Sequence, residues 1–252
     1  MTHNIDNPLV SVVTVTYNAE NDLTQTIESV IGQSYPYIEY LLIDGQSTDR
    51  THEILKKYHS SIDKICIESD TGIYNAMNKA IDMAKGKWII FINAGDKFYA
   101  DDVVDKVFSE VIGPDIDFIY GDYVWQGNTN PTYIKSRPLE LMWQKISFSH
   151  QSLFTKVALM REKKFDESFK IVSDYNFYFS SYMEGYKFMK MEFPISIFKA
   201  GGVSDRNFTK RTIERWKVVR KYRNDIMFHS FYVKQILKNY FERIKRWLLR
   251  IL

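Results

Sequence analysis

The stretch that decides the fold is residues 88–96, Trp-Ile-Ile-Phe-Ile-Asn-Ala-Gly-Asp. Five consecutive apolar residues, mostly β-branched or aromatic, predict a strand buried on both faces. The strand ends on small and polar residues, so Asp96 lies on a turn outside the core, at the strand end where open α/β sheets bind ligands. A carboxylate there, beside the permissive Gly95, suits a hard divalent cation that bridges substrate phosphates. The alternative interpretation is an acidic turn that follows a core strand.

Strands and helices alternate before this segment. Residues 9–16, 40–43 and 64–68 are predicted strands, and each is followed by a helix, the third over residues 71–84. This order predicts parallel βαβ units with right-handed crossovers. Neither glycine-rich nucleotide motif, G-x-G-x-x-G or G-x-x-x-x-G-K-[ST], occurs in the chain. Acidic strand ends at Asp44, Asp70 and Asp96 instead favour hydrogen bonds to a base and ribose, together with a metal-held diphosphate.

The second half has a different character. Residues 117–123, 132–135 and 150–155 are predicted strands, and Ser173 caps a predicted helix over 174–183. Residues 188–198 contain Pro194, which predicts either an edge strand or a segment that is not a regular strand. The fold class is therefore α/β, with a Rossmann-like, mostly parallel central sheet flanked by helices. We expect a domain over residues 1–205 and a basic amphipathic helical tail over 206–252, separable from it.

Charge is distributed unevenly between these parts. The net charge is +3, but residues 206–252 carry fourteen bases and three acids, a net +11, which leaves the body at −8. Cys66 is the single cysteine, which excludes an internal disulfide and a thiolate zinc site. No secretory signal and no apolar run of spanning length is visible, so we expect a cytoplasmic protein.

A series of ordered motifs resembles the family 2 glycosyltransferases with the GT-A fold, over roughly residues 8–205. Within that family the chain is most similar to the bacterial branch that builds exopolysaccharide, O-antigen or capsule. The matching segments are residues 12–18, 43–51, 68–79 and 91–96, with 149–152 and 173–175 downstream.

The resemblance implies an inverting hexosyltransferase-type enzyme that uses a nucleotide-diphospho-sugar, a UDP-sugar being favoured, and a lipid-linked oligosaccharide acceptor. It also implies a divalent cofactor, Mn²⁺ or Mg²⁺. The family usually has an Asp-x-Asp-Asp type motif where this chain has residues 93–96, Asn-Ala-Gly-Asp. Asp96 is therefore the one carboxylate of the motif left to contact the metal.

The resemblance also assigns the donor site. Asp44 would bind the base or ribose, and Thr16 and Tyr17 would wall the base pocket. Asn75 and Asn78 are three residues apart on one helix, so both could reach one ligand. The full predicted donor set is Thr16, Tyr17, Asn18, Asp44, Asp70, Asn75, Asn78, Asn93 and Asp96.

Asp174 is the predicted catalytic base. Inverting transfer needs a carboxylate that takes the proton of the acceptor hydroxyl, and the family places it at a helix N-terminus in the second half. The alternative is a charge that the helix dipole favours. His150 and Gln151 are candidates for contacting the acceptor or the diphosphate, although His150 is equally compatible with a structural role.

The tail predicts attachment to a membrane surface. Residues 237, 240, 241, 244, 248 and 249 are apolar and follow helical spacing among surplus bases. This pattern is typical of an interfacial helix on anionic lipid at the inner face of the cell membrane. The alternatives are a helix that packs on the body and a homodimer interface. The acidic body and the missing binding motif argue against nucleic acid.

Two other functions compete with a transferase. A nucleotidyltransferase shares acidic strand ends but normally has a glycine-rich basic loop, which residues 17–20 lack. A non-catalytic scaffold that binds nucleotide-sugar is the second, because the 93–96 motif has lost carboxylates.

Overall fold

The first half of the chain folds as its alternating pattern predicts. The computed structural model describes residues 7–127, 130–201 and 207–248. Its first seven elements are β1 (Val10–Thr16), α1 (Leu23–Ile31), β2 (Ile38–Asp44), α2 (Thr51–Lys57), β3 (Lys64–Ile67), α3 (Ile73–Met83) and β4 (Trp88–Phe91). Strands β1 to β4 pair in parallel in the order β3-β2-β1-β4.

The second half adds strands on the β4 side of this sheet. Its elements are β5 (Lys97–Phe98), α4 (Val103–Phe108), β6 (Ile116–Gln126), β7 (Thr132–Ile134), β8 (Leu153–Lys156), α5 (Val157–Lys163), α6 (Ser173–Met183), β9 (Lys187–Lys199), α7 (Phe208–Val219) and α8 (Ile226–Leu248). The sheet continues as β4-β8-β6-β9-β5, and β7 pairs with β6. Strand β8 is antiparallel to β4 and β6, so the described sheet is parallel in its first half and mixed in its second.

Apolar layers cover both faces of the sheet. In β1, Val13 and Val15 belong to one core cluster, and Val10 and Val12 belong to the other. The first cluster packs beneath α3, α5 and α6, and the second beneath α1 and α4. Because successive side chains of a strand point to opposite faces, burial on both faces requires the unbroken apolar runs of β1 and β4.

Three local predictions were wrong. The strand predicted over 150–155 is a short 3-10 turn at His150–Ser152, and β8 begins only at Leu153. The strand that contains Pro194 is not an edge strand, because β9 pairs with β6 on one side and with β5 on the other. Pro194 is tolerated because the β6–β9 register is irregular beside its partner Asp122. Helix α6 begins at Ser173, whose hydroxyl makes no capping hydrogen bond.

The first part of the predicted tail packs into the body. Val218, Val219, Phe228 and Tyr232 are at most 1% exposed and belong to the same core cluster as Tyr175. The expected separation of the tail from the body therefore fails for this part. The predicted boundary between residues 205 and 206, and the last residues 249–252, lie outside the described residues. Across the three described ranges, no helix has both the length and the apolar character needed to cross a bilayer.

Candidate functional site

The carboxyl ends of β1 and β4 are tied together at the centre of the sheet. The Thr14 hydroxyl donates to the Ile92 carbonyl oxygen over 2.8 Å, and the Ala94 amide donates to Val15 over 3.2 Å. The predicted site residues that follow these strands therefore converge at one edge of the sheet, as parallel strands require.

Thr16 and Tyr17 lie at the end of β1, where the base pocket is predicted. The hydroxyl oxygen of Thr16 is buried and has no hydrogen-bond partner among the described residues, whereas Tyr17 is 63% exposed. Gly45 follows β2, and a side chain there would collide with Asp70 and touch the Tyr17 ring. Glycine therefore lets Asp70 and Tyr17 approach the β2 end closely, so the structure brings this part of the predicted set together.

Asp44 is engaged inside the protein. It is fully buried, and its carboxylate accepts hydrogen bonds from the Ser47 amide at 2.9 Å and from the Ser47 hydroxyl. His52 Nε2 lies 2.9 Å from the same carboxylate. These contacts brace the turn after β2. Its predicted contact with a base or ribose stays a prediction and would have to use the remaining acceptor capacity of its oxygens.

Asn18 connects the first two loops of the sheet edge. Its backbone is in the left-handed region, with φ at 49°, a conformation that asparagine tolerates better than most residues. Its side-chain oxygen accepts a hydrogen bond from the Thr48 amide at 2.8 Å, and its own amide donates to the Ser47 hydroxyl at 2.8 Å. Asn18 therefore positions the loops around the predicted pocket.

Asp96 was expected outside the core, and that expectation was wrong. The turn after β4 closes through a hydrogen bond from the Asp96 backbone amide to the Asn93 carbonyl oxygen, and Gly95 has a φ of 101°. The Asp96 side chain folds inward and the residue is 5% exposed. One carboxylate oxygen accepts from Gln151 Nε2 at 2.7 Å, and the other accepts from the Lys199 amide at 2.9 Å.

Burial raises the pKa of Asp96 to about 6. The hydrogen bonds from Lys199 and Gln151 and the field of His150 pull the pKa down, but they do not cancel the burial effect, and the charge of Asp22 adds to it. The ionised carboxylate is thus destabilised in its present surroundings. A bound cation would favour the ionised form.

Asp174, His150 and Asn93 form a connected chain of side chains. His150 Nδ1 lies 3.2 Å from Asp174 Oδ2, and His150 Nε2 lies 3.1 Å from the amide nitrogen of Asn93. Nδ1 of His150 is therefore the nitrogen that faces Asp174, and Nε2 is the one that faces Asn93. The chain therefore joins the start of α6 to the turn after β4.

Asp174 remains ionised in this network. Burial raises the pKa of its carboxyl, but the hydrogen bond and charge of His150, the Tyr175 amide and the Tyr74 hydroxyl together hold that pKa below its usual value. The Tyr74 hydroxyl lies 2.9 Å from Asp174 Oδ1. An ionised, oriented carboxylate is what a proton acceptor requires, although a lowered pKa also lowers its intrinsic basicity.

Asn75 and Asn78 do share one partner, which the sequence did not reveal. Both amides donate to the carboxylate of Glu167, at 3.2 Å and 2.9 Å respectively, and Asn78 also bonds the backbone of Phe165 in both directions. The hydrogen bonds, with that from Asn78 the largest, lower the pKa of Glu167. Glu167 borders a small cleft with Thr71, Gly72 and Lys170.

Two residues of the site were missed, Tyr74 and Glu167. Tyr74 lies within a matching motif, but its position facing Asp174 depends on the packing of α3 against α6. Glu167 is 89 residues from Asn78 in the chain, and no local pattern marks it. Among the described residues, no group of three or more acidic, histidine or cysteine side chains could hold a metal ion by itself.

Solved structures share this architecture. Staphylococcus aureus TarS 1-349 in complex with UDP-GlcNAc superposes with a TM-score of 0.67 at 16% identity, over 92% of this chain and 72% of that one. The mannosyltransferase PcManGT from Pyrobaculum calidifontis, in complex with GDP-Man and Mn²⁺, has the same TM-score and identity over 91% and 69% of the two chains. These likenesses confirm the predicted GT-A fold.

Relatives found by sequence are also glycosyltransferases. The PGL/p-HBAD biosynthesis glycosyltransferase of Mycobacterium bovis is 28% identical over 176 residues, 68% of either chain. The UDP-Glc:alpha-D-GlcNAc-diphosphoundecaprenol beta-1,3-glucosyltransferase WfaP of Escherichia coli is 31% identical over 136 residues, 53% of either chain. A family model described as glycosyl transferase family 2 matches residues 11–184, and the chain belongs to that family.

Proposed function

We propose that this protein is an inverting glycosyltransferase of bacterial surface polysaccharide synthesis. It moves a hexose-type sugar from a UDP-sugar to a lipid-linked oligosaccharide at the cytoplasmic face of the membrane. The observation that carries the proposal is the chain from Asp174 through His150 to Asn93, which links a partly buried carboxylate to the edge of the sheet where ligands are expected to bind. The names of WfaP and of the TarS complex support the acceptor class and the UDP donor.

The reaction follows from the role of the carboxylate. Asp174 takes the proton of the acceptor hydroxyl as its oxygen attacks the anomeric carbon. The bond from that carbon to the diphosphate oxygen breaks on the opposite face, so the nucleotide diphosphate leaves and the configuration inverts. His150 and Tyr74 each occupy one oxygen of Asp174 and fix its orientation. The remaining lone pair on either oxygen is available for the acceptor.

The turn after β4 carries two side chains with oxygen atoms that suit a divalent cation. The side-chain oxygen of Asn93 is buried and lacks a hydrogen-bond partner in the described part of the chain, and Asp96 supplies a carboxylate on the same turn. Cations of this class take oxygen ligands and are commonly held by one or two carboxylates plus substrate phosphates. Asn93 and Asp96 would hold Mn²⁺ or Mg²⁺, which would neutralise charge on the leaving diphosphate. The Mn²⁺ in the PcManGT complex supports this cofactor.

Helix α8 supports attachment to anionic membrane. Its inner face is buried through Phe228 and Tyr232, whereas Leu237, Tyr240 and Phe241 are 50%, 61% and 64% exposed. Together with Val233 and Ile244 these exposed residues form one stripe along the helix. Lys234 and Lys238 are exposed beside it. An apolar stripe bordered by bases suits insertion at the level of anionic headgroups.

The test of the enzymatic proposal is the substitution Asp174→Asn. Asparagine keeps the shape of the side chain but cannot take a proton, so UDP binding should persist. UDP release from a UDP-sugar should fall by a factor on the order of 10²–10⁴. Calorimetry with UDP and a coupled assay of UDP release, run over a panel of UDP-sugars with Mn²⁺, measure the two effects.

Asp166→Asn is the matched control, because Asp166 is an exposed acid on the loop before α6. Near-normal UDP release by the Asp174 variant would show that another group is the base. A wild-type protein that binds UDP but turns over no donor would favour the scaffold function.

A further inference from the structure

Lys199 is fixed beside the turn after β4, where the cation is proposed to bind. It is the last residue of β9, which reaches this turn because it pairs with β5, the strand that directly follows the turn. The backbone amide of Lys199 donates to Asp96 Oδ1 over 2.9 Å. The side chain crosses Gly95, because a Cβ atom at Gly95 would lie 3.4 Å from Lys199 Cδ. Strand pairing therefore places a lysine against a turn that is predicted to contact the donor.

The Lys199 ammonium group contacts an acid at the start of α1. Its Nζ donates to Asp22 Oδ1, and Asp22 directly precedes the helix. Helix α1 is itself tied to the turn, because the Thr26 hydroxyl accepts from the Gly95 amide at 2.9 Å and donates to the Asp96 carbonyl oxygen at 2.7 Å. The start of α1, the turn after β4 and the end of β9 therefore meet at this lysine.

The ion pair between Lys199 and Asp22 is one that a stronger anion can replace. The two side chains are 46% and 32% exposed, and ion pairs of this kind contribute little to stability because water screens them. Lysine carries its charge on a flexible stem, so the ammonium group can change partners without movement of the backbone. The contact with Asp22 thus holds Lys199 at the turn but does not prevent it from binding another anion.

We propose that Lys199 binds the diphosphate of the UDP-sugar and stabilises the charge that develops on it during transfer. This role rests on the proposed transfer from a UDP-sugar. When the bond between the anomeric carbon and the diphosphate oxygen breaks, its electron pair stays on that oxygen. The ammonium group donates a hydrogen bond to the diphosphate and keeps its own proton. A cation that is already in place where negative charge develops lowers the barrier to the reaction.

The alternative is that Lys199 and Asp22 form only a structural pair that joins β9 to α1. The two possibilities differ in the role of Asp22. In a structural pair, loss of either partner has the same effect on the site. In the proposed role, Asp22 competes with the diphosphate for the lysine, so replacing it by asparagine should not weaken UDP binding.

The test measures the binding of UDP and of uridine by calorimetry in the presence of Mn²⁺. Lys199→Met removes the charge but keeps a long side chain and the backbone hydrogen bond, and Asp22→Asn removes the competing acid. The control is Lys190→Met, because Lys190 is also a lysine of β9 in an ion pair, with Glu192 at 2.9 Å, near the other end of the strand. Uridine has the base and ribose of UDP but no phosphate. Its binding therefore reports whether a variant is folded and separates the diphosphate contact from the rest of the donor site.

Lys199→Met should weaken UDP binding about tenfold or more, because a charge-assisted hydrogen bond is lost, and should leave uridine binding unchanged. Asp22→Asn should bind UDP at least as tightly as the wild type, and Lys190→Met should match the wild type. Equal losses of UDP affinity in the Lys199 and Asp22 variants, or a parallel loss of uridine binding in Lys199→Met, would overturn the inference. Unchanged UDP binding in Lys199→Met would overturn it alone, whereas a wild-type protein that binds no UDP would overturn the proposed donor as well.

Discussion

Replacing Asp96 by asparagine should change how stability depends on pH. Burial raises the pKa of this carboxyl from 3.8 to about 6 in the folded protein. Between these two values the folded chain binds a proton that the unfolded chain has released, so the free energy of unfolding falls as pH rises. The full difference of roughly two pKa units corresponds to about 3 kcal/mol, reached above pH 6.

Asparagine carries no charge at any pH, so this loss is absent in the variant. The free energy of unfolding of Asp96→Asn minus that of the wild type should therefore grow by about 2 kcal/mol between pH 4.5 and 7.5. At low pH, the difference in unfolding free energy between the variant and the wild type depends on how Gln151, which donates to Asp96 in the wild type, reorients toward the new amide. The change of this difference with pH does not depend on that reorientation.

Urea unfolding followed by tryptophan fluorescence at several pH values measures the difference, with Asp101→Asn, an exposed acid, as the control. A difference that stays flat or shrinks as pH rises would refute the argument from burial. Adding Mn²⁺ with UDP at pH 7.5 should stabilise the wild type more than the variant, because a cation favours the ionised carboxylate. Equal stabilisation would argue against metal contact at Asp96.

Two further predictions concern the base and the tail. In His150→Gln the acidic limb of the pH profile of UDP release should move to higher pH, because the hydrogen bond and charge that hold the pKa of Asp174 down are removed; an unmoved limb would contradict this role. Changing Leu237 and Phe241 to serine should release the protein from anionic vesicles in a flotation assay. Binding of the wild-type protein to the same vesicles should weaken as the salt concentration rises. Val111→Ser, at a side chain of equal exposure to Phe241, is the control. Loss of dimerisation without any change in flotation would instead identify α8 as a subunit interface.

Substituting within the tail is preferable to removing it, for a structural reason. The helical spacing of its apolar residues predicted an amphipathic helix, but it did not show that a second apolar face was already occupied. Phe228 and Tyr232 fill the core next to Tyr175, so truncation before them would expose it. Leu237 and Phe241 lie beyond that contact, and their substitution leaves the core intact.

The sequence by itself determined the features that depend on neighbours in the chain. The apolar runs of β1 and β4 predicted strands buried on both faces, because period and composition are local properties. The order of strands and helices predicted parallel βαβ units, which form the first half of the sheet, because parallel strands need crossover connections of this kind. The strand order β3-β2-β1-β4 within that half came from the structure. The motif positions brought Asp44, Asp70 and Asp96 to strand ends, since Asp44 is the last residue of β2 and the other two lie in the short segments that follow β3 and β4.

Only the tertiary structure decided which groups face one another. The pairing of β9 with both β6 and β5, the inward turn of Asp96 and the joining of Asp174 to Asn93 through His150 all depend on contacts between distant segments. Glu167 shows the same limit, because it lies about ninety residues from Asn75 and Asn78 in the chain and no spacing connects them. Periodicity indicates which side of an element is apolar, whereas the pKa of a buried carboxyl and the orientation of a base are set by neighbours that folding brings within a few ångströms.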